Sequence, residues 1–250
     1  MAIDYSGVSN RSLLGRLVRL PLKLVPQSAK MRIRQGPLKG KRWIAGSHTH
    51  GCWLGSYEMD KQVLFSKHVG TGDKVLDIGA NVGFYTLLSS HLVGPTGRVV
   101  AFEPVPRNLR YLHDHIHVNR LENVEVIEAA VGEKAGEIAF DDSSGSATGK
   151  ISTTGRLRVP LVTVDELVAK GAVPAPTVLK IGVEGAEGMV LRGARRSLTA
   201  PPGGRRPIIF LATHGPAVHA ECLALLREMG YVIASTNRQN VEQTDELLCT

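Results

Sequence analysis

KVLDIGANVGF, residues 74–84, passes from an apolar run of strand length through two glycines into a helical pattern. Glycine has no Cβ, so Gly79 and Gly83 let the backbone turn sharply at the strand end and let a ligand approach the main chain. Downstream, short β-rich runs recur at 98–103, 124–128, 177–181 and 207–211, most of them followed by helical periodicity. The best-supported helix covers 217–229. There Val218, Cys222, Leu225, Leu226 and Met229 share one stripe at helical spacing, and Gly230 follows as a stop. Strands alternating with helices need crossover connections, which predicts an α/β fold: a doubly wound, mostly parallel sheet covered on both faces. One or two more strands, at 231–234 and 246–249, are expected to finish the sheet antiparallel.

The glycine spacing narrows the ligand. Gly79-x-Asn81-x-Gly83 is not GxGxxG, so the fingerprint that cradles a dinucleotide pyrophosphate is missing, and Asp77 would repel a diphosphate. A carboxylate beside this turn suits an ammonium or sulfonium charge, because opposite charges attract most where water is thinned out. S-adenosylmethionine carries both. Twenty residues past Gly83, Glu103 ends the second strand in AFEP, where a carboxylate can accept from both ribose hydroxyls.

The run VLDIGANVGFYTLLSSHLVGPTGRVVAFEPVPRNLRYLHDHIHVNRLENVEVIEAAVGEKAGEIAF resembles the FkbM family of S-adenosylmethionine-dependent methyltransferases. LVTVDELV, LKIGVEGAEGMVLRGA and PIIFLATHGP continue the resemblance, which covers residues 52–250. It implies a class I methyltransferase, Rossmann-like fold and methyl transfer, commonly to a hydroxyl oxygen of a carbohydrate or natural product. By the same resemblance Gly79, Asn81 and Gly83 line the methionine end of the cofactor and Glu103 the ribose. Glu128 to Val131, with Ala129 and Ala130, flank the adenine, and Tyr57 and Glu58 belong to a segment folding over the cofactor. Asp77, Phe84 and Pro104 complete the expected cofactor-binding set.

Methyl transfer is an in-line displacement at a carbon already activated by its sulfonium, so the protein chiefly aligns reactants and excludes water. A hydroxyl acceptor must also lose a proton. In an open α/β sheet the acceptor belongs above the carboxyl ends of the fourth and fifth strands, here 179–187 and 210–215. Compared with the family, Gly182 stands where an Asp is usual and Ala212 where a Glu is usual. Two readings follow: a methyltransferase that relies on neighbouring groups, or a cofactor-binding homologue with weak or lost catalysis. His214 is the expected base, since imidazole titrates near neutral pH, and Glu184 is the second catalytic candidate. Glu187 reads as a carboxylate at a helix N-terminus. His48 and His50, in GSHTHGCW, are candidates to face the acceptor. His113 and His117 have zinc-compatible spacing without a third ligand, so they read as a solvated flank and no metal is expected. Residues 141–155, DDSSGSATGKISTTG, hold ten Ser, Thr or Gly and read as a mobile loop and candidate lid.

The 250 residues suffice for a full core, and 43% hydrophobic with 21% charged residues describes an ordinary soluble globular chain. Three cysteines at unrelated spacings frame neither disulfides nor zinc, which suits a reducing cytoplasm. The net charge of +7 is concentrated: residues 1–42 carry ten Lys or Arg against Asp4 alone. The remainder is near neutral, which argues against a nucleic-acid surface. Residues 1–51 therefore read as a basic extension packing on the body, with RSLLGRLVRLPLKLV as a basic amphipathic segment, and 52–250 as the cofactor-binding domain. Peripheral membrane contact through the extension is the minor expectation, and the expected partner is a small-molecule acceptor.

Overall fold

The computed structural model describes residues 21–141, 150–151, 157–237 and 239–250. A 3₁₀ turn at Pro21–Leu24 leads into an antiparallel ribbon, Lys30–Arg32 (β1) and Arg42–Ile44 (β2). Helices Gly51–Leu54 (α1) and Met59–His68 (α2) precede Lys74–Ile78 (β3). The chain then alternates through Phe84–Val93 (α3), Arg98–Phe102 (β4), Pro106–Asn119 (α4) and Val124–Ile127 (β5). It next forms Ala130–Val131 (β6), Gly136–Asp141 (β7), Lys150–Ile151 (β8) and Leu157–Val162 (β9). After Val164–Ala169 (α5) come Val178–Ile181 (β10), Glu187–Gly193 (α6), Arg195–Thr199 (α7), Ile208–Ala212 (β11) and Pro216–Glu228 (α8). Ile233–Ser235 (β12) and Glu246–Cys249 (β13) end the chain.

The main sheet has the order β12-β13-β11-β10-β3-β4-β5. Strands β3, β4, β5, β10 and β11 pair in parallel, and β13 runs antiparallel to both β11 and β12, as the sequence leads one to expect. Sequence order runs outward in opposite directions from β3 and β10. Their adjacent carboxyl ends are thus the switch point at which doubly wound sheets open a crevice.

Strand alternation divides the core between the two faces. Leu76, Ile78, Leu179 and Ile181 pack with Val190 and Leu191 of α6 and Cys222 and Leu226 of α8. Val75, Val99 and Val178 pack on the opposite face with Leu87 and Leu88 of α3, Phe65 of α2, and Trp43 and Trp53. Asp77 shares the parity of Val75, and that parity aims it at α3. Trp43 also stacks on the His115 ring at 3.9 Å between centroids, so β2 is fastened against α4. His115 accepts from the Ile44 amide and faces the Val82 carbonyl at 2.7 Å, and burial lowers its pKa to about 4.

One sheet is absent from the sequence reading. Strands β6, β9, β7 and β8 form a second, four-stranded sheet, in which β7 and β9 pair antiparallel. Ile138, Phe140, Val159 and Leu161 supply its apolar face, but the Ser/Thr/Gly-rich connection between them masks the pattern. Within the expected lid, residues 142–149 and 152–156 lie outside the described residues.

Candidate functional site

The backbone leaves β3 at Gly79 with φ +77°, and the amides of Gly79 and Ala80 donate to the Phe102 carbonyl at the end of β4. A Cβ on Gly79 would lie 2.0 Å from the Gly182 carbonyl oxygen, so the turns leaving β3 and β10 touch. Beside this contact lies a cleft with about 550 Å³ of empty space, part of it open to solvent. Gly79, Asn81, Glu103, Pro104, Ala129 and Ala130 line it, together with Asn108, Gly182 and Glu184.

Glu103 is buried and organises the cleft. Its Oε2 accepts from the Asn81 amide at 2.8 Å, and its Oε1 accepts from the Val105 amide at 2.9 Å and Asn108 Nδ2 at 3.2 Å. Burial raises the carboxyl pKa against the opposing pull of these donors. A carboxylate offers about four lone-pair sites, and these three donors occupy most of them. Glu103→Ala removes that acceptor set and leaves buried amides unpaired. S-adenosylmethionine affinity is then expected to fall roughly ten- to hundred-fold, from about 1.5–3 kcal/mol per charge-assisted hydrogen bond. Unchanged affinity in calorimetry would remove Glu103 from the cofactor site.

The lining chemistry fits a nucleoside carrying a sulfonium and does not fit a dinucleotide. Among the described residues no Lys or Arg lines this cleft, while Glu103 and Glu184 do, beside apolar walls from Phe102, Val131, Phe140 and Val183. Two residues of the expected cofactor-binding set, Asp77 and Gly83, are not among those lining this cleft. Asp77 is fully buried beneath the turn: its Oδ2 accepts from the Thr86 hydroxyl at 2.7 Å and its Oδ1 lies 3.3 Å from Lys180 Nζ. Lys180 in turn donates to the Gly79 carbonyl at 2.8 Å, so Asp77 and Lys180 together tie the turn to β10. Gly83 caps α3 with φ +91°, and a Cβ there would meet the Leu112 side chain at 2.6 Å, so it serves the packing of α3 on α4. Glu128 is exposed and faces His113 at 3.1 Å, on the flank assigned to the helix histidines.

A second cavity, with about 800 Å³ of empty space partly open to solvent, adjoins the first and shares Gly79, Asn81, Gly182 and Glu184 with it. Glu58 lies here, as do Tyr57, Lys61, Lys180, Ala212 and His214. His214 Nδ1 sits 2.8 Å from Oε1 of fully buried Glu187, and Nε2 lies 3.5 Å from Glu184 Oε1. Burial pushes the Glu187 carboxyl up, but the His214 ring and the Gly185 amide outweigh it and hold its pKa below the usual carboxylate range. An ionised Glu187 only accepts, so the proton resides on Nδ1 and Nε2 is left as the reactive nitrogen. Glu187 also accepts from the Val183 amide at 3.2 Å, which joins the expected helix-terminal role to a role in orienting His214.

Glu246 is the residue that sequence reasoning misses. It lies directly across from Ala212 in the antiparallel β11–β13 register and lines the same cavity. Burial raises its pKa against the pull of Lys61, with which it forms an ion pair, and Lys61 also reaches Glu58 at 3.1 Å. The Tyr85 hydroxyl donates to Glu58 at 2.8 Å. The cavity therefore has an acid at the strand tip where Ala212 offers none, supplied by a neighbouring strand. No local pattern in ELLC marks that pairing. Glu58, Asn81 and Glu184 are three of the four described non-glycine residues held at left-handed φ, and all three line this cavity. Such strain is maintained only where the surroundings enforce it, and it clusters at functional sites.

Phe84 and His48 border a smaller side hollow with Cys52 and Tyr57, also reaching Gly79 and Asn81. His50 faces away from it and accepts from Trp53 Nε1 at 3.2 Å. Burial raises the Cys52 thiol pKa to about 12. No cluster of three or more metal-ligating side chains occurs among the described residues.

The family described as the methyltransferase FkbM domain matches residues 77–233. The hexuronic acid methyltransferase AglP of Haloferax volcanii is 31% identical over 144 residues, 56% of this chain and 58% of that protein. A protein-L-isoaspartate O-methyltransferase of Aeropyrum pernix is 28% identical over 128 residues, 50% of this chain and 45% of its own length. The chain thus matches about half the length of these curated relatives. A solved methyltransferase FkbM from Methylobacillus flagellatus KT superposes with a TM-score of 0.52 at 19% identity, covering 71% of this chain and 43% of that one, and shares the fold.

Proposed function

The chain belongs to the FkbM family of S-adenosylmethionine-dependent methyltransferases, and from that premise we propose that it methylates a hydroxyl oxygen of a carbohydrate or similar small acceptor. The observation that carries this reading is the meeting of two cavities at Gly182 and Glu184, with the His214–Glu187 pair on the wall of the second. When bound, the cofactor supplies a methyl group activated by its sulfonium. The protein's part is alignment and proton removal: Glu103 and the Gly79 turn fix the cofactor side, and His214 Nε2 takes the hydroxyl proton while Glu187 holds the ring. Similarity to the hexuronic acid methyltransferase supports a carbohydrate acceptor.

The second reading, a cofactor-binding homologue with weak catalysis, draws on the bare strand tips at Gly182 and Ala212. Incubation with S-adenosylmethionine and a panel of neutral and uronic sugars, read by mass for the gain of one methyl, tests the first reading. Cofactor binding without transfer to any member supports the second. Turnover gained by Gly182→Asp would strengthen it further, and the site accommodates the change, since a Cβ there has only ordinary contacts, the nearest being Lys180 Nζ at 3.5 Å.

A further inference from the structure

We propose that the β1–β2 ribbon is a docking face for an anionic lipid bilayer. No Asp or Glu occurs from Tyr5 to Tyr57. Lys30, Arg32, Arg34, Lys39 and Arg42 are exposed on the ribbon and its turn, and among the described residues none of them forms an ion pair. Arg32 and Arg42 stand directly opposite each other in the register. Like charges facing across a ladder destabilise it, and among the described residues no acid forms an ion pair with either. Stacking of Trp43 on His115 and paired hydrogen bonds between Arg42 and Asn119 hold the ribbon in place against that repulsion. An array of cations without ion-pair partners among the described residues is a surface suited to counter-charge from a binding partner.

Lipid is favoured over nucleic acid by what accompanies the charge. Leu24 is 83% exposed beside the ribbon, while its neighbours Leu22 and Val25 pack inward. The ribbon's Trp43 is buried, which leaves no aromatic ring on it for base stacking. No helix among the described residues is long and apolar enough to cross a membrane.

The test is co-sedimentation of the full chain with phosphatidylcholine–phosphatidylglycerol vesicles and with phosphatidylcholine alone. Binding is expected only to the mixed vesicles, falling as salt is raised. The triple variant Arg32→Gln/Arg34→Gln/Lys39→Gln should bind roughly a hundred-fold more weakly, about five-fold for each cation. Leu24→Asp alone should weaken binding about ten-fold, from the lost apolar contact. Both variants should keep wild-type cofactor affinity, which establishes that they fold. Undiminished vesicle binding by the folded triple variant, equal binding to neutral vesicles, or tighter binding to a duplex oligonucleotide than to the mixed vesicles at equal anionic charge and salt would each overturn the proposal.

Discussion

Replacing His214 by Ala is expected to lower kcat by about 10² to 10⁴, the usual worth of a positioned general base, while leaving S-adenosylmethionine affinity unchanged. The separation follows from geometry: His214 lines only the second cavity, whereas Glu103 and Ala129 line the first. The pH dependence gives an independent check. The hydrogen bond to Glu187 and the charge of Glu184 raise the His214 pKa above 6.5. A base must be neutral to act, so kcat should rise with pH through a midpoint above 6.5, and Glu187→Gln should move that midpoint down. Stability runs the other way. A raised imidazole pKa contributes stability that is fully present below pH 6.5 and is lost as pH rises through the folded value. The lowered Glu187 carboxyl contributes stability above its ordinary value of 4.5, lost on acidification through the folded value. Rate–pH profiles and thermal unfolding at matched pH distinguish the two effects; a His214→Ala enzyme with full kcat would remove the imidazole from the chemistry.

Gly79→Ala carries the largest expected structural penalty. A left-handed φ costs an L-residue roughly 1–2 kcal/mol, and the added methyl carbon would also sit 2.0 Å from the Gly182 carbonyl. The turns leaving β3 and β10 would have to part, breaking the Lys180 bridge to the Gly79 carbonyl and opening the cleft at its floor. Loss of about 3 kcal/mol or more in urea unfolding, together with loss of cofactor binding in calorimetry, is expected. Near-native stability with intact binding would mean that the close approach of these turns is not a condition of the site.

Strand and helix positions were legible because each element's period is written locally. KVLDI reads as β3 without adjustment, the helix read at 217–229 matches α8 within a residue at each end, and β12 and β13 close the sheet antiparallel. The glycine turn and Glu103 were legible for a related reason: a strand end, a tight turn and an acid at the next strand end form a short motif whose parts stay adjacent in a parallel sheet. The surroundings of Asp77 were not legible, because its residue type alone suits a ligand charge. Its direction depends on strand parity and on Lys180, a residue that reaches it only through β10.

What the amino-acid order determined unaided is therefore the alternation of elements, the class of sheet and the place of the crevice, all encoded within runs of about twenty residues or fewer. The tertiary structure alone decided which distant side chains meet in the second cavity. Lys61 meets Glu246 across 185 residues of chain, and His214 meets Glu187 across 27. Those meetings are set by sheet order and antiparallel register, which are global solutions to burying apolar faces and leave no local trace in the residues they bring together.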